Sequence, residues 1–245
     1  TYAHIPLIHG PDGAKLSKRH GALGVDAYRD MGLLPAALRN YLLRLGWGHG
    51  DDEIISTQQA IEWFDLDGVG RSPSRFDMAK LVNLNAHYLR ETPDDELLPM
   101  VLPRVEEKLG AKVDAIGLER ITRGMNGVKQ RSRTLIELAD NLVFYARAGA
   151  PPIADDKARG VLTPEAKSLL GKLAAALEAD AANWGEKQVE DAVRRFAESM
   201  GVKLGQVAQP LRVALSGSTV SPGIFEVVAI LGPAETRTRL LAAAG

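Results

Sequence analysis

Hydrophobic residues recur at three- and four-residue intervals along most of this chain, which is the spacing of amphipathic helices. From about residue 90 onward the pattern predicts a stack of six to eight helices, and no segment there alternates as a strand does. Start signals precede several periodic stretches, because a hydroxyl side chain or a proline favours a first helical turn. These signals are Pro35, Ser56, Thr92-Pro93, Thr163-Pro164 and Ser221-Pro222. The sequence therefore predicts a mainly α-helical protein.

The first 90 residues are less uniform. Residues 3–9 are short, apolar and interrupted by a proline, which predicts one edge or terminal strand that leads into a glycine-rich loop. Periodicity predicts helices over residues 25–31, 35–45, 57–64 and 78–89, and the second of them should turn Leu38, Tyr41 and Leu42 inward. Residues 65–77 are predicted to form turns throughout.

Three later segments carry predictions that matter for function. Residues 128–147 are predicted to form one helix with Arg131 and Arg133 at its N-terminus, where cations oppose the helix dipole and anion binding would explain them. Residues 149–161 are predicted to form a loop. A helix around residues 204–215 contains Pro210, which should kink it or mark its true start. Ser221-Pro222 should then cap a helix to residue 231, and Pro233 should begin the last one.

Composition is that of an ordinary globular protein, since 45% of the 245 residues are apolar and 25% are charged. There is no cysteine, which removes disulfides and thiolate sites and fits the cytoplasm. No apolar run approaches a membrane span and no secretory signal opens the chain, so we expect a cytoplasmic protein. It begins without an initiator methionine, and we expect it to be a piece of a longer chain.

The net charge of −1 conceals local clusters. Residues 119–133 contain a single acid and the cations Arg120, Arg123, Lys129, Arg131 and Arg133. Local basic patches on a near-neutral chain are compatible with nucleic-acid binding through restricted surfaces, and equally with a solvated exterior.

The stretch GPDGAKLSKRHGA, residues 10–22, has a composition suited to chemistry. Glycine and proline prevent regular structure, and the closely spaced cations suit a polyanion such as phosphate. It is not a Walker phosphate loop, because Gly10 and Gly13 are too close and Lys15 is followed by leucine. A solvated basic loop is the alternative interpretation.

Lys-Leu-Ser-Lys-Arg within this stretch resembles the KMSKS signature of class I aminoacyl-tRNA synthetases. The flanking sequences AHIPLIHGPDGAKLSKRHGA and LLPAALRNYLLRLGW extend the match, as do RFDMAKLVNLNAHYLRE and PLRVALSGSTVSPGIFEVVAILG. In this order they resemble the C-terminal half of bacterial glutamyl-tRNA synthetase, and the resemblance covers essentially the whole chain.

The resemblance implies three regions. Residues 1–24 would be the tail of the catalytic domain with its KMSKS-type loop, a short extended remnant of the nucleotide-binding fold. Residues 25–90 would be the helical stem-contact domain, and residues 91–245 the all-α anticodon-binding domain. The implied partner is tRNA(Glu), with no DNA and no membrane, and the implied oligomeric state is a monomer.

In that family the lysine-rich loop stabilises the phosphates of ATP while glutamate is adenylated. The resemblance assigns this role to Lys18 first, then Lys15, with Ser17 holding the loop's shape and Arg19 standing where the signature has serine. The HIGH-type motif and the glutamate pocket would lie upstream of this chain. No catalytic residue is therefore assigned, and no metal ligand. ATP with Mg²⁺ would be a substrate of the full-length enzyme, whereas this chain alone should bind it only weakly and be inactive.

The resemblance also implies contacts with tRNA. Lys80 is a candidate backbone contact in the stem-contact region, or else a lysine that touches only water. Arg131 is the candidate for testing the third anticodon base, with Arg133 beside it. Arg212 and the helix start at Ser221, Pro222, Gly223 and Ile224 are assigned to the first two anticodon bases. Surface ion pairs are the alternative for each arginine.

Other functions stay open at this stage. A glutaminyl-tRNA synthetase would have a β-barrel type of anticodon region, whereas residues 91–245 are predicted helical. A shortened paralogue that modifies a tRNA nucleoside would lack that region. A stand-alone helical tRNA-binding module would need no ATP loop. The sequence does not distinguish an enzyme specific for tRNA(Glu) from one that also charges tRNA(Gln).

Overall fold

A computed structural model describes residues 6–17, 23–179 and 181–245 and is mainly α-helical there. The elements are β1 (Ile8–His9), α1 (Val25–Asp30), α2 (Pro35–Gly46), α3 (Thr57–Trp63), β2 (Ser74–Arg75), α4 (Met78–Glu91), α5 (Asp94–Leu109), α6 (Ala115–Lys129), α7 (Leu135–Ala146), α8 (Asp156–Val161), α9 (Pro164–Glu178), α10 (Glu186–Ser199), α11 (Leu204–Ser216) and α12 (Ile224–Ala244). The predicted fold class is confirmed. None of the helices in these ranges has the length and apolar character that a bilayer crossing requires.

The chain divides into two compact units. Unit 1 contains the described residues up to Val101 together with Ser132–Leu138, and unit 2 contains Leu102–Arg131 and Ala139–Gly245.

The core of unit 1 forms where α2 packs on α4. Phe76 lies between two tyrosines, with ring centroids 6.0 Å from Tyr28 and 5.2 Å from Tyr41 in an edge-on arrangement. Leu33 and Leu81 complete this buried cluster. Burying aromatic rings in such contacts removes a large apolar area from water and so stabilises the folded unit.

A two-residue parallel ladder joins β1 to β2 in unit 1. Ile8 pairs with Ser74 and His9 with Arg75. The predicted strand is thus confirmed for Ile8–His9, whereas β2 lies inside the segment predicted to form only turns. A strand this short carries no periodicity of its own and exists because the partner strand supplies its hydrogen bonds.

A buried asparagine organises part of unit 1. The side chain of Asn40 accepts from Ile55 N at 3.1 Å and from Tyr88 Oη at 2.8 Å, and donates to Glu53 O at 3.2 Å. Because α2 turns Asn40 inward to satisfy these groups, Leu42 is 45% exposed and its predicted inward orientation is wrong. The capping box at Ser56 and Gln59 is confirmed.

Unit 2 is built around α12, which packs against α9, α10 and α11. This helix is broken near its middle, because Gly232 has φ 80° and ψ 167°, a conformation outside the helical region. Pro233 then starts a second helical segment, as predicted. Pro210 lies within α11, which continues through it. The predicted loop at residues 149–161 is wrong at its end, since Asp155 caps α8 through a bond to Ala158 N of 2.7 Å.

Candidate nucleic-acid interface

The turn between α11 and α12 is held by one arginine. Arg212 lies one turn before the end of α11, and its Nη1 donates to Pro222 O at 2.8 Å, to Ser221 O at 3.2 Å and to Ser221 Oγ. Gly217 makes the turn possible, because it ends α11 with φ 75°, which glycine adopts without strain. The structure therefore brings Arg212 together with Ser221 and Pro222, as the sequence predicts.

Ser221 has a different local role from the predicted one. Its hydroxyl accepts from Arg212 and donates to Pro222 O at 2.9 Å, so it does not cap α12. The N-cap is Gly223, which is exposed and offers no side-chain bond to the first turn. The first backbone N–H groups of a helix have no intrahelical acceptor, and here no side chain at the N-cap supplies one. Ile224 points into the core, being 6% exposed.

Arg131 lies at a small cavity beside this turn. The cavity has a volume of about 110 Å³ and is lined by Arg131, by Asp140, Asn141 and Phe144 of α7, and by residues between Ser216 and Pro222 at the end of α11 and after it. Burial lowers the pKa of Arg212, and the positive charge of Arg131 lowers it further. The positive charge of Arg131, which lines the cavity, thus acts on Arg212 in the adjoining turn, and an anionic ligand would stabilise two cations whose charges interact in this way.

The predicted helix over residues 128–147 is wrong. Residues up to Lys129 belong to α6, and α7 begins only at Leu135. Arg131 therefore follows the C-terminus of α6, where a cation is favoured by the helix dipole rather than opposed by it. Residues 129–134 are all polar, but Val128 and Leu135 are seven positions apart, which is two helical turns, so periodicity alone did not detect the break.

Arg133 does not join Arg131 at the cavity. It belongs to unit 1, whereas Arg131 belongs to unit 2. Its guanidinium binds the carboxylate of Glu137, with Nη2 to Oε1 at 2.7 Å and Nε to Oε1 at 3.1 Å. These bonds hold the pKa of Glu137 below its usual value. Arg133 is thus already occupied by an ion pair.

The charge of Arg131 also acts on a carboxylate, that of Glu226. Burial raises the pKa of Glu226 in the first turn of α12, and the negative charge of Glu186 raises it further, against the opposing effect of Arg131. A Cβ placed on Gly127 of α6 would lie 2.6 Å from Glu226 Oε1, so glycine at this position permits the close approach. Periodicity gives no signal for such a contact between sequence-distant helices.

A second cationic region lies in unit 1. A cleft of about 500 Å³ is bordered by the cations Arg44, Arg75 and Lys80, and by His87. Glu53 partly neutralises it, with Oε1 at 3.5 Å from Lys80 Nζ and 3.7 Å from Arg44 Nη2. Only Lys80 was singled out from the sequence, because the other groups come from α2, β2 and the far end of α4.

The glycine-rich loop is described as far as Ser17. Gly10 N donates to Ala14 O at 2.9 Å and Leu16 N donates to Ile8 O at 2.9 Å, so the chain folds back on β1. Lys15 lies at the end of this turn. Lys18 and Arg19 lie outside the described residues. In the described ranges, no group of three or more acidic or histidine side chains is arranged to hold a metal ion.

Comparison with protein families identifies both parts of the chain. Residues 95–244 match the anticodon binding domain family, and residues 1–83 match the catalytic domain of class I tRNA synthetases of the E and Q types. The first match includes the Arg212 turn and the Arg131 cavity, and the second includes the loop and Lys80.

Individual relatives agree with these matches. The chain is 60% identical over 239 residues to glutamate–tRNA ligase 2 of Rhodospirillum centenum and 56% identical over 243 residues to glutamate–tRNA ligase of Rhodopseudomonas palustris. It covers 51% of each of these relatives and 98% and 97% of its own length, so it spans about half of the curated proteins it matches. A glutamate tRNA ligase crystal structure from Elizabethkingia meningosepticum superposes with a TM-score of 0.83 at 27% identity, over 99% of this chain and 51% of that one.

Proposed function

The chain belongs to the glutamyl-tRNA synthetase family, and we propose that it is the tRNA-binding C-terminal portion of a glutamate–tRNA ligase. The whole enzyme would activate glutamate with ATP and attach it to tRNA(Glu) in the cytoplasm. The chain spans about half the length of the relatives that it matches. The region with the ATP-binding HIGH-type motif and the glutamate pocket would belong to the other half, so this chain alone would be inactive.

Anticodon binding is the activity that unit 2 would supply, and the Arg212 turn is the observation that carries the proposal. The side chain is directed onto Ser221 and Pro222 by bonds from a single nitrogen, Nη1. Its other nitrogens would donate to an acceptor on a base edge, and the exposed Gly223 adds backbone N–H groups at the start of α12. Single-stranded loops are read by such directional donors to unstacked bases. Arg212, Ser221, Pro222, Gly223 and Ile224 would together contact the first two anticodon bases.

Arg131 would test the third anticodon base. It is exposed at the rim of the cavity, and its charge already acts on Arg212. Since α6 ends just before it, the side chain is not constrained by a helix of its own. Arg133 would have a smaller part in RNA binding, because Glu137 neutralises it.

The cleft in unit 1 would contact the tRNA backbone through Lys80. An ammonium group is a point charge and interacts with phosphate without selecting a base. Lys15, Ser17, Lys18 and Arg19 would belong to the KMSKS-type loop and stabilise the phosphates of ATP, bound with Mg²⁺ in the full-length enzyme. The protein would act as a monomer.

The central test measures binding of the chain to tRNA(Glu) and tRNA(Gln) over a salt series, with Arg212→Ala and Arg131→Gln beside the unmodified protein. A base contact is worth roughly 1–3 kcal/mol of discrimination. Because tRNA(Glu) and tRNA(Gln) differ at the third anticodon base and share the first two, Arg131→Gln should lose preference between these tRNAs, whereas Arg212→Ala should lose affinity for both. Neither variant should change the salt slope appreciably. Arg194→Gln is the matched control, because Arg194 is an exposed arginine of unit 2 that pairs with Glu190 on its own helix at 2.6 Å, and it should change neither the preference nor the affinity appreciably.

Two results would contradict the proposal. Binding that is equally strong to an unrelated RNA of the same length would remove the anticodon assignment. ATP–pyrophosphate exchange by the chain alone, well above background, would show that the activation site is present here after all. A glutaminyl-type or non-discriminating specificity would appear as tighter or equal binding to tRNA(Gln).

A further inference from the structure

A completely buried arginine lies in the second segment of α12. Arg239 is 0% exposed and is the largest fully buried side chain among the described residues. Removing a guanidinium from water costs several kcal/mol unless its N–H groups are bonded and its charge is paired. The surroundings of Arg239 therefore have to supply both.

Every side of the Arg239 guanidinium has a partner. Nε binds Glu235 Oε1 at 2.8 Å, Nη1 donates to Leu215 O at 2.5 Å, and Nη2 donates to Phe144 O at 2.9 Å and Arg147 O at 2.5 Å. Leu215 is in the last turn of α11, and Phe144 is in the last turn of α7. The carbonyls in a final turn have no intrahelical donor. Arg239 thus joins the C-termini of two helices.

Glu235 extends this group of contacts. Its Oε1 also accepts from Gly149 N at 2.8 Å, in the chain that leaves α7, and its Oε2 lies 3.6 Å from Arg120 Nη1. Arg120 in turn donates from Nη2 to Leu231 O at 2.9 Å, the last carbonyl before the break at Gly232. Three helix ends are therefore held by one connected set of charges.

Two of those helix ends form walls of the Arg131 cavity. Phe144 lines the cavity, and its carbonyl accepts from Arg239. Ser216, which directly follows Leu215 at the end of α11, lines the cavity as well. A guanidinium is planar, so its three bonding directions fix the separation and the orientation of the groups that it binds.

We propose that Arg239, oriented by Glu235, is a positioning residue for anticodon selection, because it fixes the ends of α7 and α11 that form the walls of the Arg131 cavity. It acts through these walls and does not touch RNA. The inference rests on the proposed function of unit 2. It differs from a purely stabilising role, which would affect unfolding and leave the choice between anticodons unchanged.

Arg239→Lys is the test substitution, because lysine retains the charge and loses the planar set of donors. Arg237→Lys is the matched control, since Arg237 is exposed on the same helix and pairs with Glu178 at 3.3 Å. The binding ratio between tRNA(Glu) and the same tRNA with one changed anticodon base is measured by fluorescence anisotropy. Circular dichroism, recorded at the same temperature, reports helix content.

Arg239→Lys should reduce this ratio roughly two- to thirty-fold, the range for residues that modulate a site without touching its ligand. Helix content at the assay temperature should stay that of the unmodified chain, and Arg237→Lys should change neither quantity. Glu235→Gln, which retains an acceptor for Arg239, should lower the ratio in the same direction by less.

An unchanged ratio with intact helices overturns the inference. Loss of helix content in both Arg239→Lys and Glu235→Gln also overturns it, because the contacts would then maintain the fold rather than position the walls. If the unmodified chain shows no preference between the two RNAs, the proposed function itself fails, which is a separate result.

Discussion

Arg212 in unit 2 and Lys80 in unit 1 are both candidate RNA-binding cations, and they are held in different ways. Arg212 is half-buried and fixed by two carbonyls and a hydroxyl of the following turn. Lys80 is exposed, and its ammonium group lies 3.5 Å from a carboxylate oxygen of Glu53. The side chain of Arg212 therefore has a defined direction, whereas the ammonium group of Lys80 lies beside the opposite charge of Glu53.

Under the proposed function, this difference would correspond to two ways of binding RNA. Discrimination between bases needs hydrogen-bond donors whose directions are set before the base binds. Arg212 meets this need because it is partly buried, and the same burial lowers its pKa. Attraction to phosphates needs only charge, and it weakens with salt. The carboxylate of Glu53 beside Lys80 and Arg44 partly neutralises that charge, and an RNA phosphate would have to compete with it.

The largest expected effect comes from Gly217→Ala, which tests the rigidity of the Arg212 turn. Gly217 has φ 75°, and an added Cβ would collide with the carbonyl oxygen of Pro152. The conformation alone costs about 1–2 kcal/mol, and the collision adds to it. The thermal midpoint should fall by roughly 5–10 °C, as followed by circular dichroism, and anticodon preference should fall with it.

Gly201→Ala is the control for this substitution. Gly201 also has positive φ, at 64°, but no atom within 4 Å would meet its Cβ. It should therefore show the conformational cost without the collision. Equal destabilisation by both substitutions would mean that the contact with Pro152 does not constrain the turn.

A smaller effect is expected at the cleft of unit 1. Lys80→Ala should lower the slope of log affinity against log salt by about 1 and leave preference between tRNAs unchanged. Glu53→Gln should act in the opposite direction and raise affinity a few-fold at low salt, because Arg44 and Lys80 lose their competing anion. Both are read from tRNA binding at several salt concentrations.

Lys112→Ala provides the matched control, since Lys112 is an exposed lysine of unit 2 that pairs with Glu106 at 2.6 Å. It should leave the salt slope as it is. A change of base preference in Lys80→Ala would contradict the division of roles between the two sites.

The smallest effects concern one carboxylate in each unit. The folded-state pKa of Glu137 is lowered by Arg133, so its stabilisation is present above the unfolded value near 4.5 and is lost as pH falls through the folded value. The folded-state pKa of Glu226 is raised by burial, so it opposes folding at neutral pH and this penalty disappears as pH falls. Glu137→Gln should therefore lower the free energy of unfolding at pH 7, and Glu226→Gln should raise it.

The magnitude for the partly exposed Glu137 pair should be about 0.3–0.5 kcal/mol. Urea unfolding at pH 4 and pH 7 measures both variants, and the two differences from the unmodified chain should shrink at pH 4. If Glu137→Gln and Glu226→Gln changed the free energy of unfolding in the same direction at pH 7, the surroundings of the two carboxylates would not differ in the way that their contacts indicate.

Local sequence signals sufficed for much of the fold. The capping box at Ser56, the cap at Thr163 and the new start at Pro233 were predicted because each depends on residues within one turn of one another. The break between α6 and α7 was missed, since its apolar spacing continues on both sides. The strand β2 was missed because its partner strand is more than sixty residues away along the chain.

The sequence by itself determined the family, the helical class and which segments carry the candidate residues, because motifs and periodicity are read along the chain. The tertiary structure decided which groups each cationic side chain contacts. It directed Arg212 onto the Ser221 turn, paired Arg133 with Glu137, and buried Arg239 against two helix ends. These outcomes depend on partners that only folding brings within a few ångströms, where hydrogen bonds and charge pairs act.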